Sequence, residues 1–179
     1  LLLGRDDREC GLIAAFGAVG VGFGGQETYG QTVGLSLKPE TFWWAMLGFA
    51  IKGAVWGLLG GAAMGTALVR RQWTRAQVVI GCILMVAATY IGWKLINEPK
   101  LIYFSDRFDR PRPELWAGLL FGGLAYLGYL ARCGSAKIPW SFALWGALGG
   151  STFALGDSFQ VLARWNHWGQ GWMDWWKIM

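Results

Sequence analysis

The stretch TFWWAMLGFAIKGAVWGLLGGAAMGTALV, residues 41–69, decides the fold. As a helix it would be about 43 Å long, more than the roughly 30 Å thickness of the hydrocarbon core of a bilayer. Small residues on one helix face let a second backbone approach, and helix association in lipid depends on such contact. Four glycines recur in this stretch at a spacing of four: Gly53, Gly57, Gly61 and Gly65. The pattern predicts a membrane-spanning helix with a glycine-zipper face.

The composition of the whole chain favours the same environment. Hydrophobic residues make up 54% of the chain and charged residues 15%, whereas about 25% of the residues of a soluble domain are charged. Tryptophans mark the places where apolar and polar segments meet, as side chains at a membrane interface do. They are Trp43, Trp44, Trp73, Trp93, Trp116 and Trp140. The composition therefore indicates a helical membrane protein.

The chain contains five apolar runs that divide it into candidate membrane segments. The first is short and contains six glycines, which favours a re-entrant or broken helix. We therefore predict an all-α, polytopic bundle of four or five membrane segments that forms one membrane domain over residues 1–179. The runs are residues 11–25, 41–69, 76–94, 115–131 and 138–156.

The basic residues suggest an orientation. Residues 70–75, RRQWTR, form the tightest cationic loop, and the positive-inside rule predicts that this loop is cytoplasmic. The net charge of +5 is better explained by topology and anionic lipid than by nucleic acid, because no basic run is interleaved with exposed aromatic residues. The expected partners are the bilayer and other membrane helices. Because the chain begins at Leu1, we expect it to be a piece of a longer protein.

Two parts of the chain resemble each other at an offset near 130 residues. Residues 23–29, FGGQETY, align with residues 153–159, FALGDSF, and FWW at 42–44 aligns with DWW at 174–176. The similarity predicts an internal duplication whose second copy begins near residue 141 and is truncated at the end of the chain. The alternative is chance similarity between glycine-rich apolar segments.

Two acidic residues lie at matching points of this repeat. Glu27 and Asp157 each end an apolar run, and the glutamines Gln31 and Gln160 follow them closely. Ionisable groups at the edge of hydrocarbon are costly unless they are paired or wetted, and they tend to be functional. They are candidates to bind a cation, a proton or a small solute, or to act as a general acid and base. The alternative is that both are solvated turn residues outside the membrane.

Lys52 is the single charged residue in the run 41–69. A buried ammonium needs a partner, and we consider a carboxylate such as Glu27 or the face of Trp56. Alternatively, the side chain extends to the interface. The segment 105–114 alternates in charge and is predicted to be an outer loop, in which Asp106 and Asp109 pair with arginines.

These features predict a protein that binds or translocates a small solute, with Lys52 as a buried counter-charge. A membrane enzyme acting on a lipid-linked or glycosyl substrate is an alternative, with tryptophans between residues 165 and 176 as a sugar platform. A structural subunit of a membrane complex is a second alternative. The three cysteines and one histidine form no metal-binding pattern, so the sequence predicts no metal site and assigns no cofactor.

Overall fold

The computed structural model describes residues 7–25, 30–105 and 113–166, and the regular secondary structure in these ranges is entirely helical. The all-α prediction is confirmed for this part of the chain. The helices are α1 (Asp7–Gly24), α2 (Gly30–Ser36), α3 (Phe42–Leu68), α4 (Arg75–Gly92), α5 (Trp116–Cys133), α6 (Lys137–Ser151) and α7 (Phe153–Trp165).

Two helical stretches among the described residues are long and apolar enough to cross a membrane. One is Pro39–Leu68, with 30 residues and a mean hydropathy of 1.4, which includes α3. The other is Arg75–Asn97, with 23 residues and a mean hydropathy of 1.9, which includes α4 and a π-helical turn at Trp93–Asn97. The bundle of four or five membrane segments stays a prediction.

Helix α3 is the centre of the fold. It contacts α1, α2, α5, α6 and α7, whereas α4 packs mainly against α5. The main apolar cluster lies where α3 meets α5, with Leu59, Leu119 and Leu127 almost fully buried. This central position explains why α3 carries buried residues on most of its surface.

The glycines of α3 lie against the backbone of α6. A Cβ atom added at Gly65 would lie 2.7 Å from Pro139 Cα, so the two backbones approach closely. At three further positions a Cβ would collide with a carbonyl oxygen: Gly53 with Gly150, Gly57 with Gly146, and Gly61 with Phe142. The residue numbers of the contacts increase along α3 while they decrease along α6, so the two helices are antiparallel. Only glycine fits at these positions without displacing α6.

Helix α4 begins with a capping box. The Thr74 hydroxyl accepts a hydrogen bond from the Gln77 amide at 3.2 Å, and the Gln77 side chain accepts one from the Thr74 amide at 2.8 Å. The inner face of α4 approaches α5 closely, whereas its outer face is apolar and exposed. Ile83 and Val86 are 61% and 57% exposed. Helix α4 therefore shows an apolar surface to its surroundings.

The structure corrects several boundaries predicted from the sequence. Residues 11–24 of the first run belong to the continuous helix α1, so the alternative of a broken helix is wrong, whereas a re-entrant arrangement stays a prediction. Residues 30–36, between the first two predicted runs, form α2, and the run 138–156 is divided near Thr152 into α6 and α7. These differences arise from packing against α3, which contacts all four of these helices.

The predicted repeat finds no support in the structure. Gly24 is the last residue of α1, whereas residues 153–159 begin a helix that continues to Trp165. The described parts of the two copies therefore differ in secondary structure. Residues 26–29 and 174–176 of the proposed copies lie outside the described residues.

Candidate functional site

A buried ion pair connects α3 with the residues that precede α5. Lys52 Nζ lies 2.8 Å from Glu114 Oε1, and both side chains are completely buried. Lys52 Nζ also donates a hydrogen bond to Thr32 Oγ1 of α2, at 3.0 Å. Lys52 therefore does not extend to the interface, because its ammonium has partners inside the protein.

Further hydrogen bonds hold the Glu114 carboxylate in place. The Phe104 amide donates to both carboxylate oxygens, at 3.1 and 3.2 Å, and the Ser105 hydroxyl donates to Oε1 at 2.8 Å. A buried ion pair offsets its desolvation cost only when its remaining lone pairs are satisfied, as they are here. Glu114 lies in the predicted outer loop 105–114, yet it is a buried structural group.

Asp157 and Gln160 form a second buried polar group, on α7. They lie three residues apart on one helix face, and each is only 2% exposed. Within the described ranges, none of their four side-chain oxygen and nitrogen atoms has a hydrogen-bond partner. Buried polar atoms without partners destabilise a fold by about 1–3 kcal/mol each, so this group is suited to receive a ligand.

The environment of Asp157 alters its acidity. Asp157 follows both candidate membrane-crossing stretches, and burial raises the pKa of its carboxyl from 3.8 to about 6. The nearby Ser36 hydroxyl acts in the opposite direction and lowers that pKa. However, the Ser36 hydroxyl donates its hydrogen bond to Val33 O at 2.9 Å, which leaves both Asp157 oxygens without a donor among the described residues. This carboxyl can exchange a proton near neutral pH.

Helix α2 connects the two polar groups. Thr32 and Ser36 lie one turn apart on the same face of α2, and both are completely buried. Thr32 contacts Lys52, whereas Ser36 is close to Asp157. We call the set Glu114, Lys52, Thr32, Ser36, Asp157 and Gln160 the polar row. It contains two carboxyls and one ammonium, so ionisation of Asp157 gives it a net negative charge.

Helix α7 has its polar face inside and an apolar face outside. Asp157 and Gln160 are buried, whereas Leu155 and Phe159 are 64% and 60% exposed. A surface helix of a water-soluble protein has the opposite arrangement. The outer face of α7 is thus suited to apolar surroundings, and its inner face covers the polar row.

The structure brings three of the five predicted site residues into the polar row: Lys52, Asp157 and Gln160. Glu27 and the side chain of Gln31 lie outside the described residues. Asp157 lies within α7 and is buried, so the alternative of a solvated turn residue is wrong at this position. Trp56 stacks on Phe153 with ring centroids 5.4 Å apart.

Sequence reasoning missed Glu114, Thr32 and Ser36. Glu114 directly precedes the apolar run 115–131, so it lies at the edge of an apolar run, as Glu27 and Asp157 do at the other end of theirs. The spacing of four between Thr32 and Ser36, with Val33 and Leu35 between them, was a signal for one polar helix face.

No group of three or more histidine, cysteine, aspartate or glutamate side chains that could hold a metal occurs in the described ranges. The polar row therefore offers hydrogen bonds and charge. Comparison of the chain with protein-family models, curated proteins and solved structures gives no match in any of the three.

Proposed function

We propose that this chain is an integral membrane protein that binds or translocates a small solute at the polar row. In this proposal α3 and α4 are among several membrane segments, and residues 70–75 face the cytoplasm. The observation that carries it is the pair Asp157 and Gln160, which are buried without hydrogen-bond partners in the described structure. A solute that forms hydrogen bonds with these side chains removes the free-energy cost of leaving their polar atoms buried without partners.

The outer surfaces of two helices support a membrane environment. Apolar side chains are exposed along α4, among them Val79, Ile83 and Val86, and α7 has an apolar outer face. In water, contiguous apolar surface of this kind is unfavourable by about 25 cal/mol for each Å². In lipid the same surface costs little. The close backbone contact of α3 with α6 also suits helix association in lipid.

The chemistry of the polar row indicates the class of solute. Asp157 contributes carboxylate oxygens, and Gln160 contributes one acceptor and one donor group. With Asp157 ionised, the negative charge favours a small cation or an ammonium-like group that donates hydrogen bonds. Lys52 is neutralised by Glu114, so it repels such a solute less than a free ammonium would. Because the pKa of Asp157 is about 6, a cation and a proton compete for this carboxyl near neutral pH.

Proteoliposomes that contain a trapped pH-sensitive dye test the proposal. We expect addition of Na⁺ or K⁺ outside the vesicles to raise the internal pH, because inward movement of the cation is balanced by outward movement of the proton that Asp157 carries. Asp157→Asn removes the titrating group and should reduce this response at least tenfold. Gln160→Leu should lower the apparent affinity for the solute, so a higher solute concentration is needed for the same change in pH. The control is Ser158→Ala, on the same helix, whose hydroxyl bonds to Leu155 O.

Two outcomes of this proteoliposome experiment contradict translocation at the polar row. If no solute in the panel changes the internal pH, or if Asp157→Asn and Ser158→Ala respond alike, the polar row does not translocate these solutes in exchange for protons. Binding of the solute to detergent-solubilised protein, measured by calorimetry, then separates binding from translocation. A bound solute that Asp157→Asn does not weaken also contradicts the proposal.

A further inference from the structure

A large groove lies at the opposite part of the bundle from α2, between the start of α1 and the end of α3. It has a volume of about 1210 Å³. The lining includes Arg8 and Glu9 of α1, and the loop residues Arg70 and Arg71 with Arg75 at the start of α4. We call it the cationic groove.

The charge of the cationic groove is unbalanced. Among the residues that the structure describes, four guanidinium groups line it with one carboxylate, that of Glu9. Glu9 Oε1 lies 3.0 Å from Arg71 Nη2, and the Arg71 side chain is 88% exposed. This carboxylate offsets one arginine, so the groove has an excess of positive charge. Guanidinium groups bind phosphate oxygens through two parallel hydrogen bonds, which a lysine ammonium does not provide.

One part of the groove wall is apolar. Leu12 and Ala15 of α1 and Leu68 of α3 lie on it, beside the arginines. Ala15 is small and exposed, so it leaves space along α1. A ligand that fits the whole groove has an anionic end and an apolar end. That combination is typical of a phospholipid, whose headgroup meets basic residues at the end of a membrane helix.

We propose that the cationic groove binds an anionic phospholipid. The phosphate is held by Arg8, Arg70 and Arg75, and one acyl chain lies along Leu12 and Ala15. The site depends on the proposed membrane placement of α3 and is independent of the solute chemistry at the polar row. The positive loop therefore has a second role beyond topology, since it holds a specific lipid against α1.

Native mass spectrometry of the detergent-solubilised chain tests this lipid site. The protein is equilibrated with phosphatidylglycerol and phosphatidylcholine of identical acyl chains. We expect selective retention of phosphatidylglycerol. Each basic residue near an anionic lipid contributes about fivefold in affinity, so Arg70→Gln with Arg75→Gln should reduce the preference about 30-fold.

A matched control removes two charges that flank the loop between α5 and α6. Arg132 and Lys137 do not line the groove, yet they flank the end of α5, where Leu130 O accepts a hydrogen bond from Trp73 of the loop 70–75. Arg132→Gln with Lys137→Gln should change the lipid preference by less than twofold. Equal losses in the two double variants, or no loss in either, overturn the proposal.

A second pair of variants changes the shape of the groove without changing its charge. Ala15→Phe fills the apolar wall and should displace the lipid, whereas Ala18→Phe adds the same ring to an exposed position outside the lining. Retention of lipid in Ala15→Phe overturns the proposed acyl-chain position. If glycerol 1-phosphate displaces phosphatidylglycerol at equal concentration, the site binds a soluble anion, and the lipid proposal is overturned. Asp157→Asn should leave lipid retention unchanged, which separates this proposal from the solute site.

Discussion

Lys52 of α3 and Glu114, which precedes α5, form an ion pair 2.8 Å long in which both side chains are completely buried. It joins the longest described helix to the segment that enters α5, across 62 positions of sequence. The pair therefore fixes how α3, α5 and α2 meet, because Lys52 also bonds to Thr32.

Removal of one partner should destabilise the fold strongly. Lys52→Met leaves the Glu114 carboxylate buried without its counter-charge, and we expect a loss of about 3–5 kcal/mol in the free energy of unfolding. The double variant Lys52→Met with Glu114→Gln should show a clearly smaller loss in the free energy of unfolding, because it leaves no charge buried. Unfolding in mixed micelles with increasing dodecyl sulfate, followed by tryptophan fluorescence, measures both.

The exposed pair Lys94 and Glu98 provides the control for this comparison. Its atoms lie 2.7 Å apart, but both side chains are 44% exposed. Lys94→Met should therefore leave the free energy of unfolding nearly unchanged. If Lys52→Met and Lys94→Met have similar effects, the buried pair does not stabilise the fold as argued.

Two adjacent glycines of α6 should respond differently to the same substitution. A Cβ at Gly150 would collide with Gly53 O of α3, whereas a Cβ at Gly149 would have no atom within 4 Å. Gly150→Ala should lower the free energy of unfolding by about 1–3 kcal/mol through overpacking. Gly149→Ala should leave it unchanged or raise it by up to about 1 kcal/mol, because alanine favours helix. Equal effects in these two variants are incompatible with the described α3–α6 contact.

The raised pKa of Asp157 gives stability a defined pH dependence. The folded protein holds the Asp157 proton up to about pH 6, whereas the unfolded chain releases it near the ordinary value of 3.8. Stability should therefore fall as the pH rises from about 4 to 6, by up to about 3 kcal/mol from this group. Asp157→Asn removes that contribution. The free energy of unfolding is measured against pH for this variant and for the unmodified chain, and the difference between the two curves gives the contribution of Asp157. A constant difference between pH 4 and 7 would show that Asp157 titrates normally.

Cysteine labelling tests whether α4 faces lipid. Cys82 is exposed on α4, away from the loop 70–75. With Cys10 and Cys133 replaced by serine, a water-soluble maleimide should label Cys82 poorly in liposomes, because thiols in hydrocarbon rarely ionise. Arg71→Cys, introduced into that background with Cys82 also replaced by serine, should be labelled fully. Efficient labelling of Cys82 by the water-soluble reagent would place α4 in water.

Periodicity and hydropathy could predict the helical class and the two candidate membrane-crossing stretches. A spacing of four placed Gly53 and Gly57 on one face, because a helix repeats every 3.6 residues. Lys52, Asp157 and Gln160 could be identified because they are polar residues within or at the end of apolar runs, where burial of a polar group is costly. These inferences need only local sequence.

The partners of these residues could not be predicted in the same way. Glu114 meets Lys52 through the packing of α5 on α3, and no local pattern encodes a contact across 62 positions. Helix α2 contains two glycines in seven residues and is a weak helix former by itself, so contacts with α3 and α7 stabilise it. The interruption near Thr152 has no proline to mark it in the sequence.

The glycine contact between α3 and α6 also has a thermal consequence. Few side chains separate the two backbones there, so little of the attraction comes from the hydrophobic effect, which weakens on cooling. Dispersion between closely packed atoms lacks this weakness. The pairing of α3 with α6 should thus persist in the cold.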